Sequence, residues 1–199
     1  MDYQEKKNLY NCRKTVLEML EDRKYTVPEN FHIDFENFLI LLEENNLDIY
    51  LIKDEEDSIY VRFMYDFNKN LTKKDLDAIT EEIRTETDNP ELKIILIMKN
   101  APSKTNIEML DKIKNVEIFC QDYITFNPTH NRLVPKHILL SKEKEVALLK
   151  KYHCTKAQLP KLSRSDPIAK YYGMKPGDIC QIIRNSISMG ETNYYRHIR

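Results

Sequence analysis

Apolar residues recur at Leu9, Cys12, Val16 and Leu20 with polar positions between them, which predicts a surface helix with one buried face ending before Pro28. Asp34 stands where an N-cap belongs, and Phe35, Phe38, Leu39 and Leu42 follow it on the i, i+3, i+4, i+7 pattern of a second helix. From Ile59 the period becomes two: Ile59, Val61, Phe63, Tyr65 and Phe67 alternate with Tyr60, Arg62, Met64 and Asp66, as in a strand. Thr72 with Asp75 makes a capping-box start for a helix carrying Leu76, Ile79 and Ile83. Leu92 to Lys99 is apolar on both faces and reads as a buried parallel strand. Thr105 with Glu108 starts a helix carrying Ile107, Leu110 and Ile113, and Val116 to Phe119 forms a third strand. Strands alternating with helices imply an α/β domain around a mostly parallel sheet.

After Asn127 and Pro128 the composition turns basic, which places a boundary there and divides the chain into residues 1–128 and 129–199. A short helix is expected from Ser141 through Val146 and Leu149 to about Tyr152. Another is bounded by Asp166 as N-cap, Pro167 at the first helical position and Gly173 at the left-handed exit. Lys175-Pro176-Gly177-Asp178 fits a type II turn leading into a strand over Ile179 to Ile183, with Tyr194 to Ile198 as its candidate partner. The second domain is therefore small and mixed α+β.

Charge sharpens the division. Residues 1–128 hold 17 Lys and Arg against 27 Asp and Glu, a net −10, whereas residues 129–199 hold 14 against 5, a net +9. A basic half points to an acidic partner, either nucleic acid or protein. The chain has no apolar run long enough to span a bilayer and no secretory signal pattern near its first residue, so an intracellular protein without a membrane role is expected. Cys12, Cys120, Cys154 and Cys180 are far apart and form no C-x-x-C pair, which predicts reduced thiols and no structural zinc.

Candidate chemistry is sparse. The three glycines, Gly173, Gly177 and Gly190, form no phosphate-cradling loop, and no serine sits in a nucleophile elbow. Glu91 and Lys93 at the start of the buried strand, with Asp66 upstream, offer the two carboxylates and lysine of a metal-dependent nuclease; a solvated strand end is the plainer reading. The histidines His32, His130, His137, His153 and His197 supply no full ligand set, so neither a metal nor another cofactor is expected. In the second half, basic residues are interleaved with Tyr152, Tyr171, Tyr172, Tyr194 and Tyr195. That pattern suits single-stranded nucleic acid, a protein interface or a solvated face.

Several strings in the second half resemble, in order, the fifth shared subunit of the nuclear RNA polymerases. They are LVPKHILLS (Leu133 to Ser141), LLKKY (Leu148 to Tyr152), AQLPKLSRSDPIAKYYGMKPGD (Ala157 to Asp178), QIIRNS (Gln181 to Ser186) and YYR (Tyr194 to Arg196). The archaeal homologue in that family corresponds to this half alone. The resemblance implies a non-catalytic structural subunit of a multisubunit DNA-directed RNA polymerase. Residues 1–128 would be an α/β jaw domain of nuclease-like topology lying along downstream duplex DNA. Residues 129–199 would be an assembly domain docking on the largest subunit beside neighbouring small subunits, in a hetero-assembly and not a homo-oligomer.

The interface residues implied are Pro135, Lys136, His137, Pro160, Lys161, Arg164, Asp166, Pro167, Tyr172, Gly173, Gly177, Arg184, Tyr195 and Arg196. Asn100 to Lys104, NAPSK, falls where the family has a Thr-Pro-Ser-Ala loop directed at DNA: Pro102 and Ser103 keep the pattern, while Ala101 replaces Thr and Lys104 replaces Ala. Lys99, Asn100, Pro102, Ser103 and Lys104 are thus the DNA-proximal candidates, the two lysines suited to phosphate. Asn185, Ile187 and Met189 depart from cellular members, which leaves a divergent eukaryote and a large DNA virus both open as the source, with the nucleus or a viral factory or virion as the location. A metal-dependent nuclease and a stand-alone nucleic-acid-binding module are the competing readings.

Overall fold

The structure is a computed structural model that describes residues 1–54, 57–65, 72–100, 113, 115–186 and 190–199. The chain divides into two compact units, Met1–Phe126 and Asn127–Arg199.

Unit 1 opens with helix α1, Tyr3–Asp22, started by a reciprocal capping box in which Glu5 N–H donates to Asp2 and Asp2 N–H donates to Glu5. Its predicted apolar face is buried, together with Leu17 and Met19. Helix α2, Phe35–Glu43, is capped by Asp34, which accepts from Asn37 N–H. The sheet runs β1 (Ile49–Asp54), β2 (Asp57–Met64), β3 (Lys93–Met98), β4 (Val116–Cys120) in spatial as well as chain order. β2–β3 and β3–β4 are parallel and β1–β2 is antiparallel. Helix α3, Lys73–Thr87, starts at the Thr72–Asp75 capping box and packs Leu76 and Ile83 onto Ile94, Leu96 and Met98 of β3. A short helix α4, Gln121–Ile124, follows β4. The pattern reading missed β1, and its strand from Ile59 ends at Met64, Tyr65 being in a turn; Asp66, Phe67 and the helix expected from Thr105 lie outside the described residues.

Unit 2 is a four-stranded sheet in the order β5 (Lys136–Leu139), β7 (Ile179–Ser186), β8 (Gly190–Ile198), β6 (Lys161–Leu162), with helices α5 (Lys142–Tyr152) and α6 (Pro167–Tyr171). Asp166 caps α6 with Pro167 at its first position, and Gly173 exits at φ +62. Gly177 has φ +96 and Asp178 N–H donates to Lys175 O at 3.0 Å, as the type II turn requires. Strands β5 and β6 were missed: four and two residues are too short to show alternation. The helix expected from Ser141 through Val146 and Leu149 forms as α5; Val146 is 52% exposed on it, and its buried positions are Leu148 and Glu145.

A single device ends the longer helices. After α1, Tyr25 N–H reaches Leu20 O and Lys24 N–H reaches Glu21 O, the paired 6→1 and 5→2 bonds of a Schellman motif, with Lys24 left-handed at φ +73. The same pair of bonds recurs with Asn45, Asp88 and His153 at the left-handed position, and with Gly173 after α6. A chain with three glycines fills the other four sites with side-chain-bearing residues, at a torsional cost.

Candidate functional site

Strand register sorts the candidate residues of unit 2 onto two faces. Opposed residues share a face, so His137, Ile182 and Tyr194 form one row, and Leu139, Cys180 and Arg196 form the next. Arg184 extends that face, its guanidinium 5.2 Å from the centroid of the Tyr194 ring. Cys180 and Ile182 are buried in the core with Leu162, Ala169 and Met174, while Leu139 and Tyr194 stay exposed. Lys136 and Tyr195 lie on the opposite face, where Tyr195 packs on the cluster of Leu140, Leu148 and Ile179 and stands 5.9 Å from Tyr152.

Other candidates shape the backbone. His137 Nδ1 lies 2.6 Å from Pro135 O; a carbonyl only accepts, so Nδ1 carries the proton there. Pro160 O accepts from His197 N–H, and Lys161 O accepts from Arg196 Nη1 at 3.1 Å. Exposed Arg164 donates its N–H to Arg199 O. Asp166, Pro167 and Gly173 are occupied in starting and stopping α6, and Tyr172 packs edge-on against Tyr171.

Glu145 is a buried structural position that the sequence reading missed. Its side chain is 2% exposed, and its carboxylate accepts from Ile179 N–H at 3.0 Å, from Lys156 Nζ, and from Lys142 Nζ at 3.4 Å. Lys156 also donates to Gly177 O, and Lys142 to Asp178 at 2.7 Å. Burial pushes the Glu145 pKa upward, but the bonds from Lys156 and Ile179 outweigh it and hold the group below its ordinary value. The network fixes the turn that launches β7, and thereby the strand bearing Arg184. Its sequence signal was a glutamate three residues before Leu148, on the same side of the helix.

In unit 1, Lys99 follows β3 and pairs with Glu5 at 2.8 Å, and Asn100 is exposed beside it. Pro102, Ser103 and Lys104 lie outside the described residues. Among the described residues, Glu91 and Lys93 of the nuclease trio are engaged with separate partners. Lys93 Nζ donates to Asp57 at 2.7 Å and to Tyr25 Oη, whereas exposed Glu91 accepts from Asn115; Asp66 is outside the described residues. Burial opposes the Lys93 charge, but Asp57 prevails and raises its pKa, the wrong direction for a lysine that must give up its proton to act as a base. Among the described residues no three His, Cys, Asp or Glu side chains form a metal cluster, and no helix is long and apolar enough to cross a membrane.

The family model of the RNA polymerase Rpb5 N-terminal domain matches residues 3–116, and that of the Rpb5 C-terminal domain matches residues 126–198. The chain belongs to the Rpb5 family. It is 34% identical to the DNA-directed RNA polymerases I, II, and III subunit rpabc1 of Dictyostelium discoideum, over 94% of this chain and 95% of that one. It is 26% identical to the RPABC1 subunit of Caenorhabditis elegans and 25% identical to DNA-directed RNA polymerase subunit 5-like protein 1 of Arabidopsis thaliana, each over 94% of both chains. The Rpb5 family is one of non-catalytic polymerase subunits, and the nuclease reading finds no support in it.

Proposed function

We propose that this chain is a non-catalytic structural subunit of a multisubunit DNA-directed RNA polymerase, in which unit 2 docks on the largest subunit beside neighbouring small subunits. The observation that carries the proposal is the presence of both Rpb5 domains, in order, along one chain. The chemistry of unit 2 supports it. A net +9 on about 70 residues, with Arg184 stacked over Tyr194 and Arg196 on the same sheet face, is the Arg and Tyr enrichment of a protein interface. Unit 1, built on the parallel β2–β3–β4 core, is the jaw of nuclease-like topology, and Lys99 to Lys104 is its side toward downstream duplex DNA. A cellular copy works in the nucleus and a virus-encoded copy in the viral factory or virion.

The test is purification of the tagged chain from its native source, with mass spectrometry and an RNA synthesis assay with and without template. Two very large subunits and template-dependent synthesis are expected to accompany it. Recovery of the chain alone, without synthesis, overturns the proposal and returns the stand-alone binding module.

A further inference from the structure

In unit 1, α3 covers the sheet face formed by β2, β3 and β4 and leaves part of β1 open. Tyr50 pairs with Tyr60 and Ile52 with Ser58, so both side chains project on the face that α3 occupies further along. Tyr60 packs into the core beneath α3, but Tyr50 is 38% exposed and Ile52 is 60% exposed. The other face of β1 is filled: Ile49 and Leu51 are buried. Among the described residues β1 is also the outer strand, and alternate backbone N–H and C=O groups of an outer strand point away from the sheet.

The border of this apolar shelf is acidic. Asp48, Glu82 and Glu86 converge on Arg62, at 3.2, 2.8 and 3.3 Å, so three carboxylates share one guanidinium. Arg62 lies over the Tyr60 ring, and Tyr60 Oη donates to Asp48. The excess negative charge therefore sits beside the open face, within a unit of net −10. Lys53, the basic residue of β1, lies over Tyr25, 5.6 Å from that ring's centroid.

We propose that the β1 edge is a docking site for an extended, basic segment of a partner protein, which adds as a strand beside β1, sets apolar side chains against Tyr50 and Ile52, and turns lysine or arginine toward Glu82 and Glu86. Strand addition gives affinity through the main chain and specificity through alternate side chains. The acidic border selects a basic segment and repels DNA, and the site is independent of the docking assigned to unit 2.

The experiment is NMR titration of the isotope-labelled full chain with a blocked octapeptide alternating valine and lysine. Amide shifts and slowed exchange are expected along Ile49–Lys53. At least tenfold weaker binding is expected for the valine–glutamate peptide, and at least fivefold weaker binding of the lysine peptide to Ile52→Lys and to Glu82→Gln. Ile52 and Glu82 are exposed, so these variants fold, and their unperturbed spectra elsewhere verify it. Absence of a β1 response, equal binding of the two peptides, β1 shifts that depend on chain concentration without peptide, or a β1 response to duplex DNA each overturn the proposal, the last two in favour of a second copy and of nucleic acid.

Discussion

Replacing Glu145 by alanine removes the acceptor that holds the start of β7. The Ile179 N–H loses a charge-assisted hydrogen bond in a buried site, worth about 1.5–3 kcal/mol. Lys156 is 35% exposed and keeps its bond to Gly177 O, so solvent screening limits the lost ion pair to about 1 kcal/mol. Lys142 is far more exposed and keeps Asp178, so it adds little. The expected loss is roughly 3 kcal/mol, a large share of the approximately 4–10 kcal/mol that stabilises a domain of this size. Glu145→Gln should lose about half as much, because its amide oxygen still accepts from Ile179 while its NH2 meets the Lys156 ammonium. The chain has no tryptophan, so the assay is urea unfolding followed by circular dichroism, with amide exchange at Ile179 as the local reporter. The sign with pH follows from the lowered pKa: stability from Glu145 is present above the unfolded value of about 4.3 and is lost as pH falls through the lower folded value. The gap between wild type and Glu145→Gln should therefore be constant above about pH 5.5 and close in acid. A loss below about 0.5 kcal/mol for Glu145→Ala, or a gap that widens in acid, refutes the reasoning.

Glycine at His153, left-handed at φ +48, should stabilise unit 2 by about 0.5–1 kcal/mol in thermal unfolding, because it removes the torsional cost of the Schellman position. Gly177→Ala should cost about 1 kcal/mol by the same measurement; no atom lies within 4 Å of the added Cβ, so the penalty is one of φ and not of collision. Arg184→Glu, at an exposed strand position, should leave the unfolding midpoint within the effect of about 0.5 kcal/mol while reducing co-purification with the large polymerase subunits severalfold. Glu5→Gln, which keeps an acceptor for Asp2 N–H but releases Lys99 from its carboxylate, should raise cross-linking of the Lys99 segment to downstream DNA in the assembled enzyme at low salt.

Much of the fold was legible where a local rule had room to repeat. The capping box at Thr72 and the caps at Asp34 and Asp166 were found because the acceptor and its target lie within three residues of each other. β3 was found because five consecutive apolar positions, Ile94 to Met98, are buried on both faces. β1 was missed because its Ile49, Leu51 alternation is blurred by Tyr50 and Ile52, apolar residues on the exposed side. That lapse and the docking proposal have one physical origin, an apolar outward face. The helix ends at Lys24, Asn45, Asp88 and His153 carried no glycine to announce them. Glu145 was passed over because a carboxylate on an apolar helix face becomes intelligible only when its partners, 11 and 34 residues away, are seen in place.

Of the candidate site, sequence identified residue types but not their orientation. Arg184 and Arg196 share a face with His137 only because β7 stands between β5 and β8, an order that no local pattern contains. The opposition of charge between the units then acquires a mechanical meaning. Unit 2 carries the excess of cations and sets Arg184 and Arg196 on one sheet face, where an acidic protein surface can pair with them. Unit 1 engages several of its cations internally: Arg62 with three carboxylates, Lys93 with Asp57, Arg23 with Glu117 and Lys99 with Glu5. A unit so neutralised, and acidic in total, has little free attraction for a phosphate backbone. On the proposed function, proximity of unit 1 to DNA is a property that the assembly confers by position. A weak, sequence-independent contact of that kind is compatible with a duplex that has to move past it at every step of synthesis.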